Sequence, residues 1–199
     1  PVSYIKSMGI HDREHLEVED ISPLYDWLEE NSSHSPGLWV VTHKKNSDRP
    51  APSYDEIVRA ALCFGWIDST RRSLEDGKFI QFFTKRKPGG TWSKVNKEKV
   101  QRFMEEGLMA PAGLAAIERA KQNGAWAILD EVEELQIPAD LAHEFRARPG
   151  SEAYFLSLSM SIRKRLLQWI VLAKRAETRE KRITDIAEHA GRGLKPPGF

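Results

Sequence analysis

The sequence predicts an α+β fold: a small antiparallel sheet with flanking helices, followed by a helical C-terminal segment. Three observations carry this. Runs of strand formers, Leu38-Trp39-Val40-Val41-Thr42 above all, are confined to the first two thirds. In the last third, apolar residues recur only at helical spacing. Capping and stop signals divide the rest into helix-length pieces. A chain of 199 residues fits one domain or one domain with an appendage. We expect residues 1–130 to form the α+β domain and 131–199 a helical segment docked on it.

In chain order, Ser22-Pro23 opens a first helix, with serine as N-cap and proline at the first helical position. Leu24, Trp27 and Leu28 form its apolar stripe. The strand at 38–42 follows. Ser53 then caps a second helix, with Glu56 three residues on as in a capping box. Gly65 stops it. Residues 66–72 and 79–85 read as an antiparallel pair turned by Glu75-Asp76-Gly77. Ser93 caps a third helix that runs to about Glu106, with Gly107 as its stop. Residues 111–123 and 138–146 are further helices. Phe155, Leu158, Ile162, Leu166, Trp169, Ile170 and Ala173 predict one long helix over 152–174. A last helix covers 177–190, and the tail from Leu194 to Phe199, with two prolines, is expected to fray.

With 40% apolar and 30% charged residues the chain is globular rather than disordered. Cys63 is the lone cysteine, which excludes an intramolecular disulfide and points to a reducing cytoplasm. No apolar run approaches the roughly 20 residues of a membrane span. A net charge of +1 conceals an asymmetry. Residues 12–30 are acidic, whereas 71–102 and 163–195 are strongly basic. The basic segments read either as solvated faces or as an anion-binding surface.

The stretch from Ala61 to Ser69, with Phe83-Thr84, Arg86-Lys87-Pro88, Trp92-Ser93-Lys94-Val95-Asn96 and the C-terminal Trp169-Ile170 and Ala173-Lys174-Arg175, resembles the YdeI/OmpD-associated (OmdA) family, also called bacteriocin-protection proteins. The resemblance implies a YjbR/CyaY-like superfamily fold. It implies no defined reaction, since fold likeness does not settle function. Relatives usually carry proline where this chain has Lys85 and serine where it has Gly90, so the loop here is more basic and more flexible.

Candidate site residues fall into four groups. Lys85, Arg86, Trp92, Ser93, Lys94 and Asn96 surround the Gly89-Gly90 turn at the start of the third helix. There, unpaired N–H groups, the helix dipole and mobile charges favour a phosphate or carboxylate. Trp92, in a polar loop, is placed to stack on a ligand. Asp68 follows Trp66-Ile67 on the same side of a strand and needs a partner, with Arg86, Lys174, Arg175 and Arg179 as candidates. Arg175 and Arg179, four apart, repel one another unless an acid or anion lies between them. His11 and His15 share a spacing of four but lack a third ligand, so no metal is assigned and no cofactor fingerprint is present. Cys63, among apolar neighbours, reads as buried and inert. These features point to a binding protein for a small anionic or zwitterionic ligand. The alternatives are a nucleic-acid-binding module, which needs an exposed Trp92 on one basic face, or an enzyme of unknown reaction using the same pocket.

Overall fold

The computed structural model describes residues 13–44, 47–75 and 77–199. It is α+β, with a four-stranded mixed sheet in the order β1-β2-β4-β3. The chain divides into two compact units: Pro1–Gly90 with Val95–Trp126, and Thr91–Lys94 with Ala127–Phe199.

In the first unit, β2 (Leu38–His43), β3 (Trp66–Ser73) and β4 (Lys78–Lys85) form the expected antiparallel core. The turn between β3 and β4 includes Asp76, outside the described residues. An unforeseen strand, β1 (Glu14–Glu17), joins β2 in parallel, which makes the sheet mixed. His15 therefore lies on a strand and not on a helix, stacked on Trp39 at 6.3 Å; His11 lies outside the described residues. The helix α1 (Ser22–Asn31) begins one residue earlier than expected: Ile21 is its N-cap, and the Asp20 carboxylate accepts from the Ser22 amide at 2.8 Å. The helix α2 (Tyr54–Cys63) carries the capping box in full. Ser53 Oγ accepts from the Glu56 amide, and the Glu56 carboxylate accepts from the Ser53 amide at 2.8 Å.

Trp66 is fully buried, donates from its indole to the Ser32 carbonyl at 3.2 Å and meets Trp27 edge-on. The helix α3 (Lys94–Glu105) ends as the glycine predicts. Gly107 has φ +69°, and the Leu108 and Gly107 amides donate to the Phe103 and Met104 carbonyls. The helix α4 (Pro111–Gln122) approaches the end of α2 closely, since a Cβ on Gly113 would lie 2.1 Å from the Cys63 carbonyl oxygen.

The second unit holds α5 (Asp130–Glu133), α6 (Ala139–Arg146), α7 (Ser151–Ser157), α8 (Met160–Val171) and α9 (Ala176–Gly191). Its core is built from Leu141, Phe145, Phe155, Leu166, Ile170 and Ile186, among others. The single helix expected over 152–174 is two helices. Leu158 is extended, and Ser159 restarts the helix by accepting from the Ile162 amide. Helical spacing of apolar residues continues across a break when both pieces face one core. The tail is also held: Phe199 packs on Trp169 with ring centroids 5.3 Å apart, and Arg165 donates to the Gly198 carbonyl. Among the described residues no helix is long and apolar enough to cross a membrane.

Candidate functional site

The strongest concentration of polar chemistry in the first unit is centred on Asp68. The β3–β4 ladder pairs Asp68 with Phe83 and Arg71 with Gln81, with a register shift between the two pairs. Ser69 and Thr70 thus oppose the single residue Phe82, forming a β-bulge. Strand alternation alone would send Asp68 and Arg71, three apart, to opposite faces. The extra residue brings them to one face with Gln81, the kind of re-aiming that bulges provide.

The first residue of α2 completes the cluster. Tyr54 Oη donates to Asp68 Oδ2 at 3.0 Å, and Gln81 Nε2 donates to the same oxygen at 2.8 Å. Because the Gln81 amide nitrogen serves the carboxylate, its oxygen is oriented by that bond. Gln81 is only 3% exposed, and its Oε1 has no hydrogen-bond partner among the described residues. A buried carbonyl oxygen without a partner is costly. Burial, and then the hydrogen bond to Asp68 and its charge, push the Tyr54 phenol above its ordinary range. Arg86 is buried; desolvation pulls its guanidinium down to about 10, opposed by the Asp68 charge, so it is still cationic at neutral pH. Arg71 is exposed, with its guanidinium 3.9 Å from the Phe79 ring centroid and 5.9 Å from that of Tyr54.

The remaining sequence-predicted residues are placed as follows. Lys85 donates to the Ser33 carbonyl at 3.3 Å, and Asn96 lies half-buried on α3. The Gly90 amide closes a turn onto the Lys87 carbonyl, and Asn123 donates to the Pro88 carbonyl. Trp92, Ser93 and Lys94 fall in the second unit. Trp92 is 2% exposed, which corrects the expectation of an indole open to solvent. Its large apolar area outweighs the polarity of its neighbours in sequence. Ser93 directly precedes α3. The Lys94 amide, in the first turn, faces an anion supplied by the chain itself: Glu133 Oε1 lies 3.3 Å away, and Glu133 Oε2 accepts from Lys164 at 2.6 Å. The Lys164 hydrogen bond, with help from Lys94, holds the Glu133 carboxyl below its ordinary range. Arg175 is the exposed N-cap of α9, while Arg179 makes a two-pronged pair with Asp140 at 2.7 and 3.0 Å. That acid relieves the repulsion the spacing implies.

Sequence reasoning found Asp68 and Arg86 but missed Tyr54, Arg71 and Gln81. Tyr54 was read only as a helix start. Arg71 escaped because the alternation rule assigns it to the wrong face without the bulge. Gln81, in a strand of aromatics, was the available signal, since a buried amide needs partners. Cys63 is fully buried, and burial raises its thiol to about 11, so it is no nucleophile at neutral pH. Among the described residues no group of three or more His, Cys, Asp or Glu side chains is arranged to hold a metal.

Residues 16–116, just over half of the chain, match the family described as a domain of unknown function, DUF8412. The chain belongs to that family. Every member of the Asp68 cluster lies within the DUF8412 segment. Residues 134–193 match the family described as bacteriocin-protection, YdeI or OmpD-associated, so the resemblance to that family is supported over the C-terminal helices. Searches of curated proteins and of solved structures gave no match.

Proposed function

We propose that this DUF8412 protein binds a small zwitterionic ligand of the amino-acid type at the Asp68 cluster. The observation that carries the reading is the Gln81 Oε1, buried and without a partner beside a carboxylate already oriented by two donors. Asp68 and Gln81 are suited to accept from an ammonium group. Arg71, turned to the same face by the bulge and braced on Phe79, offers a planar fork to a carboxylate. Arg86 supplies a second positive charge that keeps Asp68 ionised. Opposite charges set side by side select a zwitterion over a simple amine or acid. The first turn of α3, where an external anion was expected, already has Glu133 before it, which favours the Asp68 cluster as the ligand's place.

The test is calorimetry with a panel of amino acids, each beside its decarboxylated and deaminated analogue. A zwitterion should bind, with both analogues weaker. Asp68→Asn and Arg71→Gln should each lose about 1.5–3 kcal/mol, roughly 10–150-fold in Kd. The reading fails if no member of the panel binds, or if both variants bind as the wild type does.

A further inference from the structure

A second site, built from different residues, lies in a groove of about 370 Å³ between α2 and α3 in the first unit. We propose that it takes an organic oxyanion, a carboxylate or phosphate carried on a compact apolar body.

The argument is a charge inventory of the groove walls. From α2 come Asp55, Glu56 and Arg59, and from α3 come Glu98, Lys99 and Arg102. Counted as formal charges these cancel, but most are already engaged. Asp55 is held by Lys99 at 2.7 Å, and that cation keeps the Asp55 carboxyl below its ordinary range. Glu56 is folded back on Ser53, with its carboxylate accepting from the serine amide at 2.8 Å and its hydroxyl at 2.7 Å. Three groups remain. Arg59 makes no hydrogen bond or ion pair among the described residues, and its Nε is buried. Arg102 reaches only Glu106, at 3.8 Å between two largely exposed side chains, a contact of little energetic weight. Glu98 is the single carboxylate left over. Two guanidiniums against one carboxylate favour an anion.

Arg59 decides the matter. A buried guanidinium N–H without an acceptor is costly, and a ligand oxygen in the groove would relieve it. Guanidinium groups on two facing helices suit a planar carboxylate or a phosphate, each with several acceptor oxygens. The apolar part of the ligand has its own surface. Phe103 lies at the groove, and Val95, 58% exposed, supplies an aliphatic wall that no residue covers. The volume falls in the lower part of the roughly 300–1,000 Å³ span of small-molecule sites.

The experiment is a backbone amide NMR titration of the whole chain with phenyl phosphate, benzoate and inorganic phosphate. Phenyl phosphate and benzoate should give saturable shifts at residues 55–59 and 95–103. Inorganic phosphate should bind about tenfold more weakly, because it leaves Val95 uncovered. Arg59→Gln should weaken phenyl phosphate binding about tenfold or more, as expected for a lost charge-assisted bond. Glu98→Gln, at an exposed position, should tighten it about threefold by removing the opposing charge. Should Arg59→Gln not fold, the exposed Arg102→Gln takes its place with a loss of about threefold. Absence of saturable shifts, shifts centred elsewhere, or unchanged affinity in these variants would each overturn the proposal. The amides around Asp68 should stay still, so the outcome here is independent of the zwitterion reading.

Discussion

Replacing Tyr54 with phenylalanine isolates one hydrogen bond of the Asp68 cluster. The ring is 42% exposed and remains in the variant, so little packing is lost. What disappears is the hydroxyl that donates to Asp68 Oδ2 at 3.0 Å. A hydrogen bond to a charged group contributes about 1.5–3 kcal/mol when shielded. At this half-open position water replaces part of it, and about 1 kcal/mol is expected. For a chain of this length that is a fall in Tm of roughly 2–4 °C. A double-mutant cycle with Asp68→Asn should give a coupling of about 0.5–1 kcal/mol. The effect also has a pH signature. The Tyr54 phenol is raised in the folded state, chiefly by burial and then by Asp68. Its contribution is therefore complete below the ordinary phenol range and is lost as pH rises through the raised folded value. Phenolate absorbance in a difference titration, wild type minus Tyr54→Phe, should show ionisation above the ordinary range, and Asp68→Asn should move it down. Zero coupling in the cycle, or a phenol that ignores Asp68→Asn, would refute the reasoning.

Three further outcomes are expected. Cys63, fully buried with its thiol raised to about 11, should react with a thiol reagent far more slowly in the native chain than in denaturant; equal rates would contradict its burial. Gly113→Ala should destabilise by about 3 kcal/mol in chemical denaturation, because the new Cβ would stand 2.1 Å from the Cys63 carbonyl oxygen, and a neutral result would show that α4 can shift. The Glu133 carboxyl is held low by Lys164, so its stabilisation is present above its ordinary range and is lost as pH falls through the lowered folded value. Glu133→Gln should flatten that part of the acid unfolding curve, and an unchanged curve would count against the Lys94–Glu133–Lys164 arrangement.

Much of the fold was legible because it is encoded locally. The Ser53–Glu56 box, the Gly65 and Gly107 stops and the alternating strands around Gly77 each specify an element from within a few residues. The short strand β1 was not legible, since Glu14-His15-Leu16-Glu17 earns its conformation from a parallel partner more than twenty residues away. The break at Leu158 was hidden because α7 and α8 both turn apolar residues to one core. At the site, Asp68 announced itself as an acid among strand apolar residues. Its partners did not, because Tyr54 comes from another element and Arg71 depends on a register shift that no composition reveals. Trp92 misled for the opposite reason: polar neighbours in sequence say little about what surrounds an indole in space.

The two residues opposite Phe82 also bear on how this hairpin tolerates change in length. Losing either Ser69 or Thr70 would convert the ladder to regular pairing and leave Arg71, Arg72 and Ser73 with their present partners. Losing a residue elsewhere in β3 would invert every side chain on one side of the cut. Natural variants of this protein that differ by one residue in β3 should therefore differ at 69–70, a position where evolution can lengthen or shorten the strand without turning the sheet inside out.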